Sequence, residues 1–304
     1  MEHMSLRERL ISGLRDDPHR TWPRPPRRSR PPRPPWLAGI AAAAGAAGLA
    51  AAVAAISVSV LGQPPPPGPT VTSVLTDAVG HLNAVQLLIN AANAAGRPQP
   101  VIVTSGQFSY FEGMVSFGSQ GGPAPAQTHL QQVWRPATDL CAGGLVIEYG
   151  QRYSLTVRKK CPDHGQLQAN PTYPLLRSLP TGPQALLATL RTVKYPGVPA
   201  DEAAFSTIGN IQESVVPPDV SAALYRAAAL LPEITAGPSA YDPIGRPGVT
   251  VSFILGGVEE QWIFDPDTLR LLGEAGFSNG VMTSESAILN RAIVDRAGEL
   301  PSGG

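Results

Sequence analysis

The stretch WIFDPDTLRLLG (residues 262–273) places two aspartates and a proline between two apolar runs. An Asp at the first position of a turn accepts hydrogen bonds from the backbone N–H groups that follow, and a Pro after it presets φ for a type I turn. The pattern therefore predicts that residues 265–268 form a β-hairpin turn between antiparallel strands. A metal site would need more ligands, and the preceding Glu259-Glu260 pair would put one carboxylate on each face of its strand. We expect no metal here.

More strands are predicted on both sides of this hairpin and further back in the chain. Four strand-like runs lie between residues 101 and 159, each bounded by turn residues. They are VIVTSGQFSYFEGMVSF, HLQQVWRP, LVIEYG and RYSLTVRK. Near the C-terminus GVTVSFIL and EEQWIFD precede the turn, LRLLGEAGF follows it, and ILNRAIVDRAG is the candidate for a last strand. The motif DPIGRPG (residues 242–248) predicts another turn.

Helices are predicted between the two groups of strands and before them. Three short ones are expected at about residues 183–193, 204–214 and 219–231, with Thr181 as the N-cap of the first. A longer helix is expected from about Ser73 to Ala94. Its apolar face would contain Val74, Ala78, Leu82, Val85, Leu88 and Ile89. Neither strand group could cover its own apolar face, so we predict one α+β domain with a curved antiparallel sheet covered by short helices.

Charge divides the chain into two unequal parts. The first 35 residues contain nine Arg and four acidic residues, and the part after Gly62 contains fourteen basic and nineteen acidic residues. Residues 37–62 contain none, and as a helix they would reach about 39 Å, enough to cross a hydrocarbon core of about 30 Å. The positive-inside bias then places the N-terminus in the cytoplasm and the C-terminal domain outside, at the cell membrane. The alternative is a signal peptide cleaved near Ala52-Val53-Ala54.

Four segments follow from this division. Residues 1–36 are a basic, Pro-rich cytoplasmic arm, residues 37–62 a transmembrane helix, residues 63–69 (QPPPPGP) a stiff linker, and residues 70–304 the extracytoplasmic domain. The arginines of the arm are expected to attract anionic lipid headgroups. The alternative for the arm is a docking segment for a cytoplasmic partner.

The two cysteines, Cys141 and Cys161, both follow the predicted anchor. In an oxidising compartment they are expected to form a disulfide that closes a loop of about 20 residues, for a stabilisation of roughly 3 kcal/mol. A zinc site is the alternative, but His129 and His164 do not stand at zinc-ligand spacing.

Four segments carry a resemblance to a known family. They are YPLLRSLPTGPQALLATLR, VVPPDVSAALYRAAALLPEI, DPIGRPGVTV and WIFDPDTLRLLGE. Together with GQF at Gly106–Phe108 and WRP at Trp134–Pro136, they resemble a family of actinobacterial single-pass membrane proteins. Those proteins share an Arg-rich arm and an Ala-rich anchor, and many look like products encoded near extracytoplasmic-function sigma factors. The strand–helix–strand order is also similar to LolA-like and RseB-like ectodomains, which hold lipid or a regulatory partner. The chain departs from the family pattern at its cysteine pair and at Gly182, where the LPTDP motif has Asp.

No catalytic residue follows from the resemblance, because the family has no assigned activity. The chain also lacks a Gly-x-Ser-x-Gly elbow, a P-loop and an HExxH motif, and its acidic folded part argues against nucleic-acid binding. We therefore expect no cofactor, and a membrane-anchored binding or sensing protein rather than an enzyme. The alternatives are an anti-sigma-like envelope signalling protein and an extracytoplasmic hydrolase.

The expected ligand is an apolar or amphipathic envelope molecule, with an envelope protein as the other partner class. Short helices interrupted by Pro and Gly pack imperfectly on a curved sheet, and clefts form where such layers separate. The aromatic residues expected to line that cleft are Phe108, Tyr110, Trp134, Phe253 and Trp262. The alternative is that each is an ordinary core residue.

Overall fold

A computed structural model describes residues 71–118, 128–139, 142–155, 167 and 171–302. The predicted arm, anchor and linker, both cysteines, and the side chains of residues 71–79 lie outside the described part. Among the helices that are described, none is both long and apolar enough to cross a membrane.

Nine strands of the described chain form one antiparallel sheet, in the order β4-β3-β2-β1-β9-β8-β7-β6-β5. The strands are β1 (Phe108–Phe117), β2 (His129–Pro136), β3 (Gly144–Glu148), β4 (Gln151–Leu155), β5 (Ile234–Tyr241), β6 (Pro247–Leu255), β7 (Val258–Phe264), β8 (Leu271–Ser278) and β9 (Val281–Val294). Two meanders, β1–β4 and β5–β9, are therefore joined where the last strand pairs with the first. The predicted α+β class is confirmed.

Five helices lie in the described chain: α1 (Val71–Ala95), α2 (Tyr173–Arg177), α3 (Pro183–Leu190), α4 (Ala200–Gln212) and α5 (Pro218–Ala228). Helices α1, α3, α4 and α5 supply buried residues to the same hydrophobic core as the sheet. The sheet contributes alternate residues to that core, such as Val133 on β2 and Val251 and Phe253 on β6. Alternate residues of a strand face the same side, so the helices cover one face of the sheet.

The other face carries a smaller cluster at the β1–β2–β3 end. Tyr110, Trp134, Leu145 and Val294 are buried there, and Phe108 packs against them. The C-terminal segment closes over this cluster, because the indole Nε1 of Trp134 donates to the carbonyl of Glu299 at 2.6 Å. Neighbouring residues of β1 face opposite sides of the sheet: Tyr110 belongs to this cluster, and Phe111 belongs to the helix-covered core.

The predicted hairpin turn is confirmed in its mechanism. Asp265 Oδ1 accepts hydrogen bonds from the backbone N–H groups of Asp267 (3.0 Å) and Thr268 (2.7 Å) and from the Thr268 hydroxyl (2.9 Å). The loop is longer than a four-residue turn, because Leu269 adopts a positive φ of 56° and the N–H of Asp265 bonds to the carbonyl of Arg270. These bonds lower the pKa of the Asp265 carboxyl, chiefly through Thr268.

The turn predicted for DPIGRPG connects β5 and β6 and does more than reverse the chain. Asp242 Oδ1 accepts from the N–H groups of Ile244 and Arg246, and Asp242 Oδ2 lies 2.6 Å from Arg246 Nε. Arg246 Nη2 then reaches the carbonyls of Leu272 and Ile288, each at 3.0 Å. The Asp242–Arg246 pair thus ties the β5–β6 turn to β8 and β9.

Several element predictions were wrong in detail. Strand β5 and helix α2 were not predicted, and the N-cap of α3 is Gly182 rather than Thr181, without a side-chain hydrogen bond. In α1 the predicted apolar face was correct in part: Leu88 is buried and Val85 and Ile89 pack against the core. Leu82 is instead 66% exposed, and the buried Ala84, Ala91 and Ala92 were not predicted. The helix packs on α5 and β5, and small alanines let it approach closely.

Candidate functional site

Helix α4 brings polar side chains into the layer between helices and sheet. It begins after Pro199, carries Asp201 and Glu202 in its first turn, where acidic residues favour the helix dipole, and is buried along most of its length. Ser206 and Asn210 stand four residues apart and therefore on one face of the helix. Both line a cavity against the sheet.

Two rows of residues across β7, β8 and β9 form the floor of this cavity. The register aligns Glu260 with Gly276 and Ser284, and aligns Trp262 with Glu274 and Ser286. The two glutamates are diagonal neighbours on adjacent strands, a spacing of roughly 7–8 Å that long side chains bridge. Gly276 has no side chain, so a gap is left between Glu260 and Ser284.

The cavity has a volume of about 20 Å³. Its lining is Ser206, Asn210, Glu260, Gln261, Trp262, Glu274, Ala275, Gly276 and Ser284. This is room for about one water-sized group. The lining contains two carboxylates and no Lys, Arg or His, so within the described chain the cavity is acidic.

The hydroxyl of Ser206 connects the helix to the sheet. Ser206 Oγ lies 2.5 Å from Glu260 Oε2 and 2.9 Å from the carbonyl oxygen of Glu202. A hydroxyl carries one proton, so it donates to one of these acceptors at a time. Tyr195 lies nearby: burial raises the pKa of its phenol, the Thr207 hydroxyl lowers it, and the charge of Glu260 raises it further.

Trp262 fixes one wall of the cavity. Its ring stacks on Phe205 of α4 with centroids 3.8 Å apart and an interplanar angle of 9°. A Cβ built on Gly209 would lie 2.6 Å from Glu274 Oε1 and 2.9 Å from Trp262 Nε1. Helix α4 therefore approaches the sheet this closely only because position 209 is glycine.

Nδ2 of Asn210, which lines the cavity, is buried and has no hydrogen-bond partner among the described residues. The same holds for Oγ of Ser286, whose residue is 0% exposed and lies opposite Glu274. Leaving a buried donor or acceptor unsatisfied costs about 1–3 kcal/mol. A site that carries this cost is a candidate for binding a ligand or ordered water that satisfies it.

A second charged group lies on the same sheet face, beneath the C-terminus of α4. Arg291 Nη1 donates to the carbonyl of Gln212, the last residue of the helix. Burial lowers the pKa of Arg291 and of Arg135, and the charge of Glu213 opposes that effect at both. A cation at a helix C-terminus is favourable, so this cluster has a structural role in holding α4.

The five aromatic residues predicted to line a cleft do not lie together. Tyr110 and Trp134 are 0% and 1% exposed and pack with Phe108 on the face away from the helices. Phe253 and Trp262 are each 1% exposed and belong to the helix-covered core. Of the five, only Trp262 lines the cavity described above. The expectation that all five contact one ligand stays a prediction.

The predicted disulfide cannot be placed, because Cys141 and Cys161 both lie outside the described residues. His129, weighed as a zinc ligand, lies at the start of β2, where its Nε2 is 2.7 Å from Glu148 Oε1 and its ring stacks on Tyr149. In the described part of the chain no group of three or more His, Cys, Asp or Glu is arranged to hold a metal ion.

No sequence motif singles out Ser206, Asn210 or Glu274. A signal was present, because Glu260 and Glu274 occupy strand positions that alternate with apolar residues in register with the core. No protein-family model and no curated protein matches the chain. The geometry of the cavity is therefore the basis for a functional proposal.

Proposed function

We propose that residues 70–304 form an extracytoplasmic binding or sensing domain held at the cell membrane by residues 37–62. The uncharged 26-residue segment and the excess of arginine before it support this arrangement. The proposed family relationship to actinobacterial single-pass membrane proteins agrees with it. The proposed ligand is an amphipathic envelope molecule whose polar end enters the cavity between α4 and the sheet.

The observation that carries this proposal is the placement of polar groups inside an otherwise apolar layer. Ser206, Glu260 and Glu274 line the cavity, while Phe205, Trp262 and Phe264 of the same elements are fully buried core. Ser206 and Glu260 pair with each other across this layer, as buried polar groups in a core require. Proteins place polar groups in an apolar layer mainly at functional sites. The unsatisfied Asn210 amide is a group that a ligand would engage.

The aromatic core limits which part of an amphipathic ligand is bound. Tyr110, Trp134 and Phe253 are buried and packed against neighbours, so an apolar tail would reach them only by displacing other side chains. We therefore place specificity in the polar cavity and not in the aromatic clusters. A protein partner is the other class of ligand that this site would accept, through a single inserted side chain.

A hydrolase is the second candidate function, favoured by one observation. Glu260 and Glu274 face one cavity, and paired carboxylates serve acid/base hydrolysis. An anti-sigma-like role would instead depend on the N-terminal arm, and no contact in the described residues bears on it.

The experiment measures thermal stability of the full chain in detergent against fatty acids, phospholipids, peptides and small amines. Ligands that use the cavity should raise the Tm of wild type and of the control Gly182→Ala, a position with open space around its Cα. Gly276→Ala, whose Cβ would lie 2.5 Å from Ser284 Oγ, should abolish the shift. A shift that survives Gly276→Ala would exclude this cavity as the site.

Turnover of an ester, amide, phosphate or glycoside panel separates the two candidate functions. Hydrolysis that is lost in both Glu260→Gln and Glu274→Gln would establish the hydrolase. Stabilisation without turnover supports the binding domain.

A further inference from the structure

We propose that the cavity between α4 and strands β7–β9 binds the primary ammonium group of its ligand. This inference rests on the proposed binding function and names the chemistry of the group that the site recognises. It begins from charge, since Glu260 and Glu274 both line the cavity and none of its lining residues is basic. A cation is therefore the complementary charge.

Size narrows the choice of cation. A volume of about 20 Å³ admits one water-sized group. A primary ammonium has that size, whereas a trimethylammonium or a guanidinium does not fit without moving lining residues such as Trp262, whose ring is stacked on Phe205. A divalent metal is disfavoured because the described residues hold no cluster of three or more His, Cys, Asp or Glu.

The hydrogen-bond acceptors of the cavity also favour a primary ammonium. An ammonium carries three N–H donors and no acceptor. The cavity offers acceptor oxygens from Glu260 and Glu274 on the sheet, and the hydroxyl oxygens of Ser206 and Ser284 on its two sides. Three N–H donors can thus be satisfied from both layers at once, which would join α4 to the sheet on binding.

The buried amide nitrogen of Asn210 indicates a second polar group on the ligand, next to the ammonium. Its buried Nδ2 has no acceptor in the described part of the chain and lies at the same cavity. An ammonium would not satisfy a donor, so we assign this donor to an oxygen next to the ammonium group of the ligand. Since the cavity admits only the ammonium group, the rest of the ligand, as in an aminoethanol or an aminoethyl ester of phosphate, lies outside it.

The test is calorimetric titration of the full chain in detergent with ethanolamine, choline and ethylene glycol. We expect ethanolamine to bind and the two analogues, which lack the primary ammonium, to bind at least 10-fold more weakly. Glu260→Gln and Glu274→Gln should each weaken ethanolamine binding about 10- to 100-fold. Glu259→Gln is the matched control, because Glu259 lies on the other face of β7 and accepts a hydrogen bond from Ser252.

A lipid source of the amine is distinguished by vesicles. Binding of the full chain to phosphatidylethanolamine vesicles over phosphatidylcholine vesicles, lost in Glu260→Gln, would assign a lipid headgroup. Binding of free ethanolamine alone would assign a soluble amine. If a glutamate variant does not fold by circular dichroism, Ser206→Ala replaces it, with weaker binding expected.

Three results would overturn the inference. They are equal binding of choline and ethanolamine, ethanolamine binding unchanged by both glutamate substitutions, and no binding at 50 mM, in which case the cavity holds only ordered water. A non-amine ligand that stabilises wild type but not Gly276→Ala would leave the proposed binding function standing and reject the ammonium alone.

Discussion

Asp265 shows how a single side chain sets a turn, and its role follows from the sequence alone. Its carboxylate accepts bonds from Asp267 and Thr268, as expected for an Asp that begins a turn. Glu260 is the contrasting case. The strand pattern predicts which face it occupies, but its contact with Ser206 joins residues 54 positions apart, and no local pattern encodes that distance.

Asp265→Asn should lower stability at pH 7 by up to about 1 kcal/mol, because the turn loses charge-assisted bonds on a partly exposed group. The folded-state pKa of Asp265 is lowered. Its stabilisation is therefore complete above the unfolded pKa of about 4 and is lost as pH falls through the folded value. Urea unfolding at pH 7 and pH 3 should show the difference shrinking in acid. Asp267→Asn, in the same turn, is the control, because it keeps the Asp265 carboxylate and the backbone N–H groups that donate to it.

Arg246→Ala should destabilise the domain by about 2–3 kcal/mol. The substitution removes two bonds to the carbonyls of Leu272 and Ile288 and leaves the fully buried Asp242 side chain without its cation. Arg270→Ala, at an exposed position of the neighbouring turn, is the control. Chemical denaturation followed by circular dichroism measures both. Equal stability of Arg246→Ala and wild type would show that the turn is not tied to β8 and β9.

At the scale of elements, the local sequence pattern predicted the observed structure where apolar and polar residues alternate. It did not do so where Gly, Pro or Ala-rich stretches replace that alternation. Strand β2 was predicted with its observed bounds, His129–Pro136. Strand β5, ITAGPSAY, was missed because Gly237 and Pro238 interrupt it, and its pairing shifts register just there. The face of α1 was predicted only in part, because an Ala-rich helix has no strongly polar side and packing on α5 and β5 decides its rotation.

Helix α4 provides a prediction in which packing opposes helix propensity. In an exposed helix, Gly→Ala is stabilising by about 1 kcal/mol. Gly209→Ala should instead destabilise by at least about 1 kcal/mol, because its Cβ would meet Glu274 and Trp262 at less than 3.0 Å. Thermal unfolding gives the sign, and Trp fluorescence reports displacement of Trp262. A gain in stability would show that α4 can move away from the sheet and that the cavity is wider than described.

At the scale of the whole molecule, the decisive contact is the least local one. Strand β9, the last strand of the described chain, pairs with β1, the first one, and so joins the two meanders. The candidate site depends on this assembly, because Ser284 and Ser286 of β9 complete its two rows. The order of the predicted strands and helices indicated the α+β class, but it did not show that β9 pairs with β1 and joins the two meanders into one sheet.

The disulfide prediction belongs to the whole molecule as well, because it depends on the compartment of the domain. Thiol titration of the unfolded, unreduced protein should find no free thiol if Cys141 and Cys161 pair in an oxidising environment. After reduction the same titration should find both. Two reactive thiols before reduction would rule out the bond and weaken the argument for an external domain.

Orientation in the membrane is the last prediction and the one on which the proposed function depends most. Nine arginines before residue 36 and an uncharged segment at residues 37–62 predict that the N-terminus lies inside and the domain outside. A phosphatase reporter fused after residue 304, which is active only when exported, should be active in cells. A fluorescent reporter that matures only in the cytoplasm should be dark at the same position.

Replacing the arginines at positions 24, 27, 28, 30 and 33 with glutamine should lower phosphatase activity, since it removes most of the charge bias next to the segment. A bright fluorescent fusion would place the cavity in the cytoplasm, and a released protein cut near Ala54 would replace the anchor with a signal peptide.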